Sequence, residues 1–516
     1  MSEVSTNNKR IAKNTIFMYI RMGIVMLVQL YTSRIVLNSL GIDDYGIYNV
    51  VGSFVVAFTF ISGPLGTATQ RFLNFELGKR ENSQLNVIFN LSFYSYLLLG
   101  LILFIVIEIA GEWYIHEKMI LPPGRLEATE WAFQLSLLSL ILGLFKTPFE
   151  SSIVAYEKMS FYAYLGIAEV VLKLLNALSL EYIMVDKLKL YSVNQLAISA
   201  IVLLSTYLFC AINFKELRLK ALSKVWDTNK FKELVSFSGW SLFGSVASMT
   251  ANQGLNLLLN LFYGVAVNAA MGIANQINAS VVQFVSNFQI AFRPQIVKSY
   301  ASNNIGALRT LIFRTSKFSY LLLFAIVCPL CFNMQFILEL WLKHPPVYAA
   351  EFSILVLVYA LTEALSAPMW MTVQATGRIK KYQIVISSII LMNIILSYVF
   401  LKLGSSPLVV LEIKCVLDLL YLAVRLLFMR NMVGLNVKSY LKDVIKPVML
   451  TSILSLSLLY IFLCLSLEGW QRLLYTVSVF VISYPFLVMF IGMTSKERYW
   501  IREKIYTQAN NVFNRK

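Results

Sequence analysis

Residues 161–184 read FYAYLGIAEVVLKLLNALSLEYIM, and this stretch combines the two features that decide the fold. It is an apolar run long enough to cross a bilayer as an α-helix, which takes about 20 residues. Its central part carries Glu169 and Lys173. A charge inside the hydrocarbon costs roughly 2.5–3.5 kcal/mol, so such residues usually face a wet cavity or an ionic partner. Fourteen stretches of the chain resemble this one in length and apolar character, and several carry charges, which indicates a membrane transporter.

The composition is that of a polytopic membrane protein. The 516 residues are 58% hydrophobic and 14% charged, with a mean hydropathy of +0.69, whereas soluble domains average about 45–50% apolar and about 25% charged residues. All five cysteines lie in apolar runs, and the two histidines, His116 and His344, lie far apart in predicted loops. We therefore expect no redox chemistry, no metal site, no cofactor and no removable signal peptide.

The predicted fold is all-α, with two parallel six-helix lobes and two extra C-terminal helices. The predicted spans are 14–39, 46–70, 86–110, 131–155, 161–184, 190–213, 236–262, 267–291, 310–333, 350–375, 383–403, 407–430, 446–467 and 472–494. They divide into an N-terminal lobe (1–213), a cytoplasmic amphipathic linker (214–235), a C-terminal lobe (236–431) and a last part (432–516) with two helices and a basic cytoplasmic tail.

The distribution of positive residues sets the orientation. Of the 44 Lys and Arg residues, thirty-one fall in one alternate set of loops and the adjoining span ends, and seven fall in the other set. Because short cytoplasmic loops carry the excess of positive charge, both termini are predicted to be cytoplasmic. This distribution explains the net charge of +17 without nucleic acid. The basic stretch Phe214–Val235 is predicted to be a surface helix on anionic lipid, with a partner-binding role as the alternative.

The chain also repeats itself. The pentapeptide Ser95–Leu99 recurs as Ser319–Leu323, and at nearly the same shift Gly41 falls on Gly264. The first copy holds six spans, an even number, so the second copy begins on the same side of the membrane as the first. The halves are therefore predicted to be parallel repeats about an axis normal to the membrane. Transporters commonly bind their substrate between such halves near the middle of the bilayer.

Charged residues mark the first half. Lys146 precedes Glu150 by four positions, and Glu169 precedes Lys173 by four, a spacing that puts each pair on one helix face. Structural ion pairs are one interpretation, and a hydrated charged cavity is the other. Because cationic side chains suit phosphate oxygens, the candidates for binding a diphosphate are Arg21, Arg34, Lys146 and Lys173. The candidates for ion coupling or charge pairing are Asp43, Asp44, Glu150, Glu169 and Glu363.

Amides mark the second half. They follow one face of the seventh and eighth spans, at Asn252, Asn256, Asn260, Gln276, Gln283 and Asn287. Such stripes either hold helices together or line a cavity that suits sugar hydroxyls. In the twelfth span, Lys414 and Asp418 form a further pair at helical spacing.

The stretch Ser33–Tyr48 (SRIVLNSLGIDDYGIY) resembles the O-antigen and capsule repeat-unit flippases of the multidrug/oligosaccharidyl-lipid/polysaccharide exporter superfamily, as do Thr69–Gly78 and Gly264–Pro294. The resemblance implies two lobes forming a V, and alternating access that moves an undecaprenyl-diphosphate-linked oligosaccharide outward across the bacterial inner membrane. It also implies a role for lobe-facing arginines, here Arg21 and Arg34, and for an acidic loop residue, here Asp43 or Asp44. The two extra helices resemble those of lipid II flippases, which line a groove for the lipid tail.

Three functions stay open on the sequence alone. The leading one is a flippase, not an enzyme, with a lipid-linked oligosaccharide as substrate and with anionic lipids and the polysaccharide polymerase machinery as partners; the coupling ion is a proton or sodium. The second is a cation-coupled multidrug exporter of the same superfamily. The third, a membrane polymerase or ligase of lipid-linked sugars, would call for a sizeable external loop, and the longest one, residues 111–130, is short.

Overall fold

The computed structural model describes residues 2–56, 58, 61–79, 84–117, 119, 121–183, 185–463, 468–494 and 497–498, and within these ranges it contains helices and no β-strand. The side chains of some helical residues, Arg34 among them, lie outside this description. Of these described residues, 88% are helical. The predicted all-α class is confirmed.

The helices follow one another along the chain with short connections. The first seven are α1 (Ser2–Val56), α2 (Ser62–Gly78), α3 (Leu85–Glu117), α4 (Leu126–Ala155), α5 (Met159–Ser179), α6 (Lys187–Asn213) and the single turn α7 (Leu222–Val225). The next seven are α8 (Thr228–Ala301), α9 (Ile305–Phe332), α10 (Met334–Leu342), α11 (Ala349–Thr376), α12 (Lys380–Lys402), α13 (Val409–Val433) and α14 (Val437–Tyr440). A π-helical turn (Leu441–Ile445) leads into α15 (Lys446–Leu463), and α16 (Gly469–Leu487) ends in another (Val488–Gly492).

The surface of these helices is suited to lipid. Within the described residues, nine helices are long and apolar enough to cross a membrane. The most apolar window of α3 has a mean hydropathy of 2.3, yet only 22% of it is buried in the protein. Apolar surface of this extent is stable only against hydrocarbon. The chain is therefore a multi-pass membrane protein. The other predicted spans fall on the kinked helices α1 and α8, on α2 and on the charge-bearing α13.

Two glycines interrupt the two longest helices. Gly41 in α1 has φ 78° and ψ 173°, and Gly264 in α8 has φ 76° and ψ −170°. Only glycine adopts this conformation readily, because any Cβ would be strained there. The two residues are the ones that the sequence repeat aligns, so their shared conformation supports the repeat.

The chain packs into two compact units. The first holds residues 1–246 and 290–303, and the second holds residues 247–289 and 304–516. Helix α8 contributes to both, because its two ends belong to the first unit and its middle to the second. The lobe boundaries that the sequence suggests, at 213 and 236, stay a prediction.

The two C-terminal helices are part of the core of the second unit. Tyr484 of α16 donates a hydrogen bond to the carbonyl of Leu321 in α9 at 2.7 Å. The hydroxyls of Tyr320 and Ser452 lie 3.1 Å apart and join α9 to α15. The helices predicted to lie outside the repeat therefore pack on α9.

The prediction of a continuous surface helix over Phe214–Val235 is wrong for residues 214–221 and 226–227, and its contact with anionic lipid stays a prediction. Residues 214–221 are not helical, only the four residues of α7 form a turn, and α8 begins at Thr228. The physical reason is a competing set of hydrogen bonds: the side-chain amide of Asn86 in α3 donates to the carbonyls of Glu216 and Arg218. We call residues 214–227 the strap.

Candidate functional site

The two charge pairs predicted in the first half both form. Lys146 Nζ lies 3.1 Å from Glu150 Oε1 within α4, and Lys173 Nζ lies 2.6 Å from Glu169 Oε1 within α5. The four side chains are 20–35% exposed, so they are partly shielded by neighbouring helices.

These pairs and Arg21 make one cluster, which we call the first-unit charge cluster. The carboxylate of Glu169 interacts electrostatically with Lys146 and Arg21 as well as with Lys173. Lys146 in turn interacts with both Glu150 and Glu169. Three helices, α1, α4 and α5, thus contribute three cations and two carboxylates, an excess of positive charge that favours an anionic ligand.

Arg21 is held in place by aromatic and backbone contacts. Its Cζ lies 4.9 Å from the centre of the Tyr162 ring, a distance at which a cation is attracted to the face of the ring. Its guanidinium rests against Gly166, where a Cβ would lie 3.1 Å from Cζ. Arg21 Nε is buried and has no hydrogen-bond partner among the described residues. An unsatisfied buried donor is costly, and this one packs against Gly166.

The two acidic loop candidates have different surroundings. Asp43 is exposed. Asp44 accepts hydrogen bonds from Nε and Nη2 of Arg125 at 2.8 and 2.5 Å, and Nη1 of Arg125 donates to Asp186 at 2.6 Å. The predicted loop at Asp43 and Asp44 is wrong, since both residues lie in α1 after the kink at Gly41. Arg125 immediately precedes α4 and Asp186 immediately precedes α6, so this ion triad joins the start of two helices to the second part of α1.

The triad shifts the pKa of Arg125 and of Asp186. The hydrogen bond to Asp186 raises the pKa of Arg125, and the bonds to Asp44 add to it. Burial opposes ionisation of Asp186, but the hydrogen bond from Arg125 and those from the backbone N–H groups of Lys189 and Leu188 outweigh it and lower the pKa of that carboxyl.

The amide stripe of the second half has mixed surroundings. Asn252, Asn260, Gln276 and Gln283 are exposed, and Asn256 is half-buried. Asn287 is buried and its amide donates to the carbonyl of Gln283 at 2.9 Å in the same helix. Five of the six amides are thus accessible to a ligand, while Asn287 is satisfied within the protein.

A second charged group lies in the second unit. Lys414 and Asp418 interact electrostatically but form no direct ion pair, because Lys414 Nζ instead donates to Asn252 Oδ1 at 3.3 Å and lies 3.9 Å from the centre of the Tyr359 ring. Asp418 is 7% exposed and its Oδ2 has no hydrogen-bond partner among the described residues. Glu363 of α11 is exposed and interacts electrostatically with Asp418.

Arg425 is part of this second-unit group. The count of positive residues places it at the cytoplasmic end of the predicted span 407–430. In the structure it lies in α13, where Nε donates to Tyr382 Oη at 2.8 Å and Nη1 donates to Ser366 Oγ. The sequence signal that identifies it is its position seven residues after Asp418, on the same helix face.

The sequence patterns do not identify two further buried charged residues. Arg71, which could be taken as interfacial at the end of the second span, is 5% exposed and lies 4.4 Å from the centre of the Phe72 ring. Glu157, between α4 and α5, has a positive φ of 58° and accepts hydrogen bonds from Gln295 at 2.7 Å and Lys298 at 2.9 Å. It thereby fixes the last turns of α8 within the first unit.

Comparison with solved structures identifies the fold. An outward-facing multidrug resistance MATE family transporter of the MOP superfamily matches with a TM-score of 0.70 and 16% identity, over 83% of this chain and 96% of that one. A MOP superfamily transporter from Pyrococcus furiosus matches with a TM-score of 0.67 and 14% identity, over 82% and 96%. The chain has a MATE transporter fold. No protein-family model and no curated protein matches the sequence.

A further solved structure has the same fold. A third match, a MATE protein in complex with MaD5, has a TM-score of 0.68 and 16% identity, over 83% of this chain and 96% of that one. At these identities the likeness concerns the fold, so the roles of the charged residues stay predictions.

Proposed function

We propose that this chain is a transporter of the MOP superfamily that moves an undecaprenyl-diphosphate-linked oligosaccharide from the cytoplasmic to the outer leaflet of the bacterial inner membrane by alternating access. The observation that carries the proposal is the first-unit charge cluster, in which three cations lie with two carboxylates. A diphosphate supplies acceptor oxygens and negative charge to such a group.

The balance of charge favours an anionic substrate. In the first unit Arg21, Lys146 and Lys173 outnumber Glu150 and Glu169, so the site has a net charge of +1 that attracts a diphosphate. The same net positive charge would repel a cationic drug.

The second unit carries groups that suit a sugar. The exposed amides of Asn252, Asn260, Gln276 and Gln283 are donors and acceptors that match hydroxyl groups. Lys414, close to Asn252, adds a cation that can approach a phosphate or an acidic sugar.

The alternative function is a cation-coupled multidrug exporter. It is favoured by one observation: Glu363 and Asp418 give the second unit two neighbouring carboxylates, one of them buried without a complete set of hydrogen bonds. The similar structures also include a transporter described as a multidrug resistance protein. Another is described as having a binding pocket of reverse polarity that suggests a different function, so proteins of this fold differ in pocket charge.

The direct test is transport by purified protein in liposomes that contain an undecaprenyl-diphosphate-linked disaccharide. Sugar that reaches the opposite leaflet becomes accessible to a membrane-impermeant oxidant. We expect transport by the wild type, and a loss of at least about tenfold in Arg21→Ala and Lys173→Ala, since each removes a charged hydrogen bond to the ligand. Lys381→Ala, an exposed cation outside the cluster, is the matched control.

Three results would contradict the proposal. The first is no transport by the wild type, and the second is full transport by both cluster variants. The third is a deletion strain that keeps its surface polysaccharide, has no second flippase and becomes sensitive to cationic drugs, which would favour the exporter. Comparing imposed proton and sodium gradients in the same liposomes would identify the coupling ion, and loss of that dependence in Glu363→Ala would assign the coupling carboxylate.

A further inference from the structure

We propose that the strap binds anionic phospholipid headgroups of the adjacent leaflet and holds this end of the transporter at a fixed depth in the membrane. The inference goes beyond the transported substrate, and it rests on how the strap is attached, where it lies along α3 and which side chains it exposes.

The backbone of the strap is attached to the first turns of α3. Asn86 Nδ2 donates to the carbonyls of Glu216 at 2.8 Å and Arg218 at 2.9 Å. Asn90 Nδ2 donates to the carbonyl of Arg218 at 3.0 Å, and its Oδ1 accepts from the backbone N–H of Lys220 at 2.8 Å. Two side chains one helical turn apart therefore fix alternate residues of an extended segment.

These attachments set the depth of the strap. Helix α3 has 33 residues, which gives a length of about 50 Å at 1.5 Å per residue. The hydrocarbon core is about 30 Å thick, so a centred helix extends about 10 Å beyond it at each end. The strap follows α3 from Asn86 to Tyr94, whose hydroxyl donates to the carbonyl of Lys220 at 2.9 Å. It lies at the level of the headgroups and the start of the acyl chains.

Three residues of the strap are buried, and the part between the last two is exposed. Phe214, Leu217 and Val225 are each 4% exposed and attach the segment to the protein. All side chains of residues 218–224 are exposed. Among them Leu219 is 42% exposed and Leu222 is 39% exposed, and neither has protein to cover it within the described residues. At the depth set by α3, these side chains meet the boundary between headgroups and acyl chains.

The charges of the strap match an anionic surface. Its four basic residues are Lys215, Arg218, Lys220 and Lys224, and none of them forms an ion pair within the described part of the chain. Its two acidic residues already form hydrogen bonds within the protein. Glu216 accepts one from Tyr156 Oη at 3.1 Å, and Asp227 caps the N-terminus of α8. Basic residues interleaved with apolar ones are typical of segments that lie on anionic membranes. Because a membrane already surrounds this level of α3, lipid is the partner that fits.

The test measures the depth of a spin label attached at Leu222→Cys, in full-length protein whose native cysteines are replaced by serine. The protein is placed in nanodiscs of phosphatidylcholine alone or of equimolar phosphatidylcholine and phosphatidylglycerol. Collision rates with oxygen, which partitions into lipid, and with a neutral nickel chelate, which stays in water, report the depth of the label. A label at Ser302→Cys, in an exposed turn after α8, is the matched control.

We expect the chelate collision rate at position 222 to be at least about fivefold lower in phosphatidylglycerol discs, the factor that corresponds to one basic residue held near an anionic surface. The triple variant Arg218→Gln, Lys220→Gln, Lys224→Gln should lose this difference, and so should high salt. The double variant Arg378→Gln, Lys381→Gln removes exposed charges elsewhere and should keep it.

Three outcomes would overturn the proposal. One is an equal chelate collision rate in the two disc types. Another is a difference that survives the triple variant. The third is a label that is aqueous in both disc types and is shielded only when a soluble protein fraction is added, which would assign the strap to a protein partner.

Discussion

Substituting Gly166 by alanine should move Arg21 without unfolding the protein. A Cβ at position 166 would overlap Arg21 Nε and would lie 3.1 Å from Cζ and 3.2 Å from Cδ. Non-bonded carbon contacts prefer about 3.5–4.0 Å, so the guanidinium has to shift by about 1 Å. The atoms that must yield belong to a flexible side chain, so the cost in stability is small.

The two effects of this substitution have opposite signs. Replacing glycine by alanine within a helix favours folding by up to about 1 kcal/mol. A displacement of about 1 Å in a group that positions a substrate can reduce the rate by about 100-fold. We therefore expect Gly166→Ala to have an unchanged or slightly higher melting temperature together with a substantial loss of transport.

The assay is the liposome transport measurement, run in parallel with the thermal stability of the purified protein. Gly143→Ala in α4 is the matched control, since nothing lies within 4 Å of a Cβ at that position. It should keep full transport. Full transport by Gly166→Ala would show that the position of Arg21 does not matter, and unfolding of Gly166→Ala would show that the contact is structural.

The remaining predictions concern stability. Backbone strain alone should lower the free energy of unfolding of Gly41→Ala by about 1–3 kcal/mol, because a Cβ at this position meets nothing within 4 Å. Gly46→Ala, in an ordinary helical position, should show no such loss. Equal melting temperatures of the two variants would refute the argument. Arg125→Gln should lower the free energy of unfolding by about 1–2 kcal/mol at neutral pH, which is the contribution of a charged hydrogen bond reduced by solvent screening. Because the folded protein lowers the pKa of Asp186 from 3.8, this contribution is present above that pH and is lost as the pH falls through the folded value. The melting temperatures of wild type and Arg125→Gln should therefore converge in acid, and a constant difference down to pH 2 would contradict this. Glu157→Gln should lower the free energy of unfolding by about 1.5–3 kcal/mol, measured by thermal unfolding. An unchanged free energy would show that the two hydrogen bonds of Glu157 contribute nothing.

The sequence predicts local pairs well. Lys146 and Glu150 lie on one turn of one helix, so their spacing alone brings them within 3.1 Å. The Lys414–Asp418 pair has the same spacing and does not form, because Lys414 has a partner in Asn252, 162 residues away along the chain. Spacing indicates which groups can meet, and the surrounding helices decide which of them do.

Long-range contacts are beyond the reach of such patterns. The ion triad joins Arg125 to Asp44 across 81 residues, and no periodicity relates the two. The strap is polar and amphipathic enough to be predicted as a helix, but Asn86 satisfies its carbonyls from 130 residues away. The fold class depends on hydrophobic length, which is local, and so it can be predicted; the partners of each buried ion depend on tertiary packing.

The matched kinks at Gly41 and Gly264 bear on the origin of the protein. If the two halves descend from one ancestral gene that was copied and fused, a residue whose rare backbone geometry survives in both copies was fixed before the copying event. The ancestor would then have been a six-helix protein that already made this bend, and it would have had to associate with a twin to enclose a passage. Expressing residues 1–213 and 236–431 as separate polypeptides would show how much of that older arrangement the present halves retain.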